Sequence, residues 1–285
     1  MITDFHVHTF PDKIADKALA SLSKSGKVKY YLNGTLKDTL KSMKEADIAY
    51  SVLLPVATNA GQYQSINNTA KEIQSHHEET GIFSFGGIHP DNDNYKEILR
   101  DLKANGVRGI KLHPVFQETY LDDIKNLRII DYACELDLLV ITHAGYDISF
   151  PGIDLVTPKH ILPVIEKTNP GNLILAHMGG WGCWDEVESD LAGSGVWFDT
   201  SFTLTPLRDP VTHQILTERT AKEQLDKEQF LRIVRKHGAE HILFGSDSPW
   251  SEQKEALELL QSSGITKTEY KQITETNAKT LLSLS

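Results

Sequence analysis

The chain has 285 residues, of which 40% are hydrophobic and 24% charged, an ordinary balance for a soluble globular protein with room for one large domain. Twenty-nine basic residues against 39 acidic ones give a formal net charge of −10, which argues against nucleic acid and anionic membranes as partners. Cys134 and Cys183 have neither a disulfide-framework nor a thiolate-zinc spacing. No basic flank precedes an apolar core at the start, and no apolar run approaches the ~20 residues of a membrane span, so the expected compartment is the cytoplasm.

Ile2 to His8 reads as a short strand built on Ile2, Phe5 and Val7. Residues two apart share a strand face, so His6 and His8 present two imidazoles together. A helix is expected over 12–22, then a Lys/Ser/Gly-rich excursion over 23–34. Thr35 is placed to cap a helix running to Ala46, with Leu36, Leu40 and Met43 on one stripe. The apolar run 48–56 ends at a proline, as buried parallel strands do. A polar helix over 63–79 turns Ile66, Ala70 and Ile73 inward and leaves His76 and His77 in solvent. The alternation then repeats: strands at 82–90, 107–114, 138–145, 173–180, 196–201 and 242–250, with helices at 95–105, 122–136, 158–168, 184–192, 227–237 and 251–263. A long polar stretch, 202–226, interrupts it.

Eight strands, each followed by a helix, predict a parallel sheet covered by helices, and eight such units close a barrel. An open doubly wound sheet is the competing architecture, but the first turn has no glycine-rich phosphate loop. The expected fold is therefore a (β/α)8 TIM barrel in one domain, residues 1–285. Active sites of such barrels lie at the carboxyl ends of the strands. Those ends carry His6 and His8, His89, Lys111 and His113, His143, His177 and Asp247. Imidazoles and a carboxylate converging on one mouth suit a divalent transition metal.

From Asp4-Phe5-His6-Val7-His8 through Gly109-Ile110-Lys111-Leu112-His113-Pro114, Thr142-His143-Ala144-Gly145, Ala176-His177-Met178-Gly179-Gly180 and Phe244-Gly245-Ser246-Asp247-Ser248-Pro249, the chain resembles the amidohydrolase superfamily. More narrowly it resembles the amidohydrolase-related group that contains aminocarboxymuconate-semialdehyde decarboxylase. The resemblance implies one divalent ion, Zn2+ foremost and Mn2+, Fe2+ or Co2+ otherwise, held by His6, His8, His143 and Asp247. Asp247 would also take the proton from water, and His177 would be the catalytic histidine beside the ion. In two-metal members a carboxylated lysine on the fourth strand bridges the ions, so Lys111 and His177 are candidates for a second metal or for the pocket. Homodimers are common in the group. TatD-like deoxyribonucleases share the His-x-His and a Gly-x-His-Pro like Gly87 to Pro90, but they place a glutamate where Lys111 and His113 stand.

The chemistry expected is hydrolysis of an amide, ester or lactone bond in a small molecule. The alternative is non-oxidative decarboxylation of an aromatic or unsaturated acid. Arg208 would then meet the carboxylate, and Trp181, Trp184, Phe202 and Trp250 would supply a flat apolar wall, with His89 and His113 as further pocket residues. A non-catalytic ligand-binding barrel is the third reading. Substrate specificity is assigned to the loops 9–34, 57–62, 146–157 and 202–226.

Overall fold

A computed structural model describes residues 1–168 and 170–284. Its strands are β1 (Ile2–Val7), β2 (Ile48–Leu53), β3 (Ile82–Ser84), β4 (Gly86–Gly87), β5 (Gly109–Leu112), β6 (Leu139–Thr142), β7 (Leu173–Leu175), β8 (Trp197–Asp199) and β9 (Ile242–Leu243). Every ladder is parallel, in the order β1-β2-β3 and β4 through β9. β3 and β4 are one barrel strand interrupted at Phe85, whose N–H donates to Leu53 O at 2.9 Å, an ordinary ladder distance. The ring closes where Phe5 N–H donates to Phe244 O at 2.8 Å and His8 N–H to Ser248 O at 2.6 Å. The result is the expected (β/α)8 barrel.

The apolar residues divide as a barrel requires. Phe5, Val52, Leu54, Phe83, Phe85, Leu139, Ile141, Ile174 and Leu243 fill the interior, and Ala278 and Leu282 from the closing segment join them. A larger cluster, including Ile110, Val140, Leu175 and Phe198, packs the strands against the surrounding helices. Among the described residues no helix is long and apolar enough to cross a membrane.

Several local expectations change. The first helix is Ala15–Gly26, four residues past its expected end. In Leu36–Glu45 Thr35 does accept from Asp38 N–H, but the buried stripe is Thr39, Ser42 and Met43, and Leu40 is 36% exposed. In Tyr63–Ser75 the buried face is Asn67, Ala70 and Gln74, with Ile66 and Ile73 only half-buried. Asn67 is inside because its Oδ1 accepts from Gly87 N–H at 2.8 Å, satisfying a donor that the break at Phe85 leaves beside the helix. His76 is exposed as expected, whereas His77 packs on Phe83 with ring centroids 4.8 Å apart. The polar stretch 202–226 contains a helix, Thr217–Glu223, with no buried residue, so no apolar stripe announces it.

The corrected stripe on Leu36–Glu45 separates two substitutions. Leu40→Lys should change unfolding free energy by no more than about 0.5 kcal/mol, while Met43→Ala should cost about 2–5 kcal/mol by emptying a core site. Urea unfolding of the two variants checks both.

Candidate metal centre

Polar side chains gather just past the carboxyl ends of the strands. β1 ends at Val7, with register shifts against β2, so strict alternation is not what joins the first two histidines. They meet nonetheless: Nε2 of His6 and Nε2 of His8 are 3.1 Å apart. Asp247 comes from the irregular segment after β9, where it takes a left-handed backbone (φ 64°). Its Oδ1 lies 3.5 Å from His6 Nε2 and 3.3 Å from His8 Nε2.

The other nitrogen of each ring fixes its tautomer. His6 Nδ1 lies 2.8 Å from Asp199 Oδ2, and His8 Nδ1 lies 2.9 Å from the carbonyl oxygen of Leu54. Both oxygens only accept, so each Nδ1 carries the proton and donates. Burial pulls the His6 imidazole down to about 4, which keeps it neutral at pH 7. Two bare lone pairs therefore face each other at 3.1 Å beside a carboxylate oxygen. That arrangement repels itself unless a cation or proton lies between, and it fits a divalent ion bound by His6, His8 and Asp247.

Asp199, at the end of β8, is the residue that sequence reasoning missed here. It is fully buried, accepts from the N–H groups of His177 and Ser201 at 3.0 Å each, and also takes the Ser201 hydroxyl. Burial alone would raise its carboxyl, but His6, His177 and Ser201 hold it well below the usual carboxylate range. Asp247 behaves likewise: burial pushes it up, and His8, His6 and His177 outweigh that and keep it ionised.

His177 follows β7 in a short left-handed turn (φ 56°). Its Nδ1 faces the Ser201 carbonyl at 2.9 Å and its Nε2 lies 3.1 Å from His143 Nδ1. The structure thus sets His143 against His177 and against His113, stacked at 4.4 Å and 10°, rather than in the His6–His8–Asp247 trio. Lys111 is buried in the cavity wall, where loss of solvent lowers its ammonium to about 8 against the opposing pull of Asp199 and Asp247.

These groups open into a cavity of about 570 Å³. His113, Trp181 and Trp250 line it, together with Phe10, Phe116 and Phe202. Trp181 is carried there by Gly145, which pairs with it backbone to backbone at a positive φ of 87°. A Cβ at Gly145 would meet Trp181 N at 2.2 Å.

Three expected pocket residues lie elsewhere. Arg208 is bound to Glu255 at 3.2 Å, away from the wall. His89 is buried with its Nδ1 accepting from Asp91 N–H at 3.2 Å. Trp184 is buried with Nε1 donating to Glu223 O at 3.2 Å. Each is spent on holding a loop.

The family model for amidohydrolases matches residues 3–284. The chain belongs to the amidohydrolase family. This amidohydrolase has no sequence match among curated proteins. Its fold is shared with solved structures at low identity. A 2,6-dihydroxybenzoate decarboxylase from Rhizobium is 16% identical, with a TM-score of 0.68 over 99% of this chain and 98% of that one. A dihydroxybenzoic acid decarboxylase from Polaromonas sp. JS666, solved with manganese and 2-nitroresorcinol, is 15% identical, with a TM-score of 0.68 over 99% and 97%. A "probable 2-pyrone-4,6-dicarboxylic acid hydrolase" from Acinetobacter baumannii is 16% identical, with a TM-score of 0.66 over 99% of both chains.

Replacing Asp199 by Asn keeps the shape but removes the acceptor charge that orients His6. In this amidohydrolase, with Zn2+ as the probe ion, Asp199→Asn should weaken binding of the divalent ion about 10- to 100-fold. Competition titration with a chromophoric chelator measures this, and an unchanged affinity would remove Asp199 from the site.

Proposed function

We propose that this amidohydrolase hydrolyses an amide, ester or lactone bond in a small, largely uncharged molecule. The observation that carries this reading is the ionised Asp247 carboxylate set beside two proton-free imidazole nitrogens at the floor of an apolar cavity. His6, His8 and Asp247 would hold the metal. When bound, such an ion lowers the pKa of a coordinated water from about 15.7 towards roughly 7 and polarises a carbonyl.

The chain's own groups do the rest. Asp247 accepts the proton that water gives up as it attacks the carbonyl carbon. Its carboxyl lies below the ordinary carboxylate range, so it is a carboxylate before each turnover. His6 and His8 stay fixed through Asp199 and Leu54 O, so no reorganisation accompanies the attack. His177, whose ring centre is 5.3 Å from that of His6, stands beside the trio with its Nδ1 committed to the Ser201 carbonyl and its Nε2 facing His143. The aromatic wall excludes bulk water and favours apolar substrates.

The second reading is non-oxidative decarboxylation of an aromatic or unsaturated acid. It draws on the flat wall of Trp181, Trp250, Phe116 and Phe202 and on Lys111, the one lysine or arginine among the described residues that line the cavity. Favouring hydrolysis, the arginine expected to meet a carboxylate, Arg208, is paired with Glu255 instead.

A panel of apolar amides, esters and lactones, run beside hydroxybenzoates, separates the readings by hydrolytic product against released carbon dioxide. On any substrate turned over, Asp247→Asn should retain folded protein and lower kcat by about 10²- to 10⁴-fold. A near wild-type rate would exclude Asp247 as the base.

A further inference from the structure

Five imidazoles run in a row along the cavity. His8, His6, His177, His143 and His113 follow one another with centroid separations of 5.0, 5.3, 4.8 and 4.4 Å. Asp247 stands at the His8 end. Asp147, in the loop after β6, stands at the His113 end, and the mechanism above does not use it.

The loop holds Asp147 as a fixed acceptor. Tyr146 N–H donates to Trp181 O at 2.9 Å, and Phe150 N–H to Asp147 O at 3.0 Å. Ser149 N–H donates to Asp147 Oδ1 at 2.7 Å. The side chain borders the cavity and keeps only 9% of its exposure. Its Oδ2 has no hydrogen-bond donor among the described residues. His113 Nε2, 3.5 Å away, is too far for a strong bond. One carboxylate oxygen is therefore satisfied, and the other is left to the cavity.

No cation answers this charge. Burial lifts the carboxyl to about 6, and only the Ser149 N–H opposes it, so Asp147 is an anion at pH 8. His113 is kept neutral by its own burial. Lys111 feels the pull of Asp199 and Asp247, and no other lysine or arginine among the described residues lines the cavity. A buried carboxylate without a counter-charge is costly unless a cation reaches it. The surroundings suit an organic cation. Phe116 packs edge to face on His113 at 4.5 Å and on Phe150 at 5.2 Å. Phe116, Tyr146 and Trp181 border the same cavity, and aromatic faces attract an ammonium group.

We propose that Asp147 binds a protonated amine of the substrate, at the end of the imidazole row opposite Asp247. This deepens the hydrolytic reading and rests on it for the bond cleaved. The substrate becomes an apolar amide, ester or lactone that carries one ammonium group and is otherwise uncharged. The same carboxylate repels the acids that the decarboxylase reading requires.

Isothermal titration calorimetry at pH 8 on the protein as purified tests it. The probes are 2-phenylethylamine, 2-phenylethanol and benzyltrimethylammonium, none of which has a bond to hydrolyse. The wild type should bind the amine about 10- to 100-fold more tightly than the alcohol, the range of a hydrogen bond to a charged group. Asp147→Asn should lose that preference and bind the alcohol as the wild type does. The quaternary cation, which cannot ligate a metal, should displace the amine from the wild type. No measurable amine binding, or equal affinity for amine and alcohol, overturns the proposal. So does an amine preference that survives in folded Asp147→Asn, or failure of the quaternary cation to compete. Circular dichroism establishes folding. If Asp147→Asn does not fold, the wild-type preference and the competition decide alone. Amine binding as expected, with no amide, ester or lactone cleaved, would count against the hydrolytic reading and leave the Asp147 site standing.

Discussion

Asp4, within β1, lies fully buried against the segment that follows β9. Its carboxylate accepts from Ser246 N–H at 2.9 Å, Ser246 Oγ at 2.5 Å, Gln253 Nε2 at 2.8 Å and His6 N–H at 3.2 Å. Burial pushes the acid up to about 6, against the pull of these donors. A carboxylate in such a place is tolerated only because its partners are complete. Those partners span the seam where the barrel closes. Asp247 N–H donates to His6 O at 2.9 Å and His8 N–H to Ser248 O along the same seam. The trio of His6, His8 and Asp247 is therefore set by the closure itself. Two segments more than 200 positions apart in sequence meet at one point because Asp4 holds their register.

How far the sequence disclosed this depends on what each residue does. Strand positions were legible because parallel strands buried on both faces read as continuous apolar runs between helices. Histidines at strand ends were legible because such residues seldom recur at one position by packing alone. Asp199 was not, because Trp-Phe-Asp ends β8 as any strand ends. Only the fold reveals that its carboxylate reaches His6. The misplaced residues follow the same logic. Arg208 and His89 had the right chemistry near the right ends, but Glu255 and Asp91 engage them away from the cavity lining. Asn67 is inside its helix because the Gly87 N–H needs an acceptor there, which no apolar stripe could announce.

The imidazole row shows why the cavity wall matters to the polar groups beneath it. Apolar surroundings make a charged imidazole costly, and burial lowers His6, His113, His143 and His177 together. A neutral imidazole has one donor and one acceptor nitrogen. In His6, His8 and His177 the donor is committed to Asp199, the Leu54 carbonyl and the Ser201 carbonyl. What remains on each is an acceptor held at a fixed angle. Ion capture at neutral pH then displaces no proton from His6, whose imidazole is already bare. The same dry wall thus keeps His6, His113, His143 and His177 neutral, with an acceptor nitrogen each. A polar substitution among Phe116, Trp181 or Phe202 would act on those nitrogens without touching them, by admitting water that competes for them.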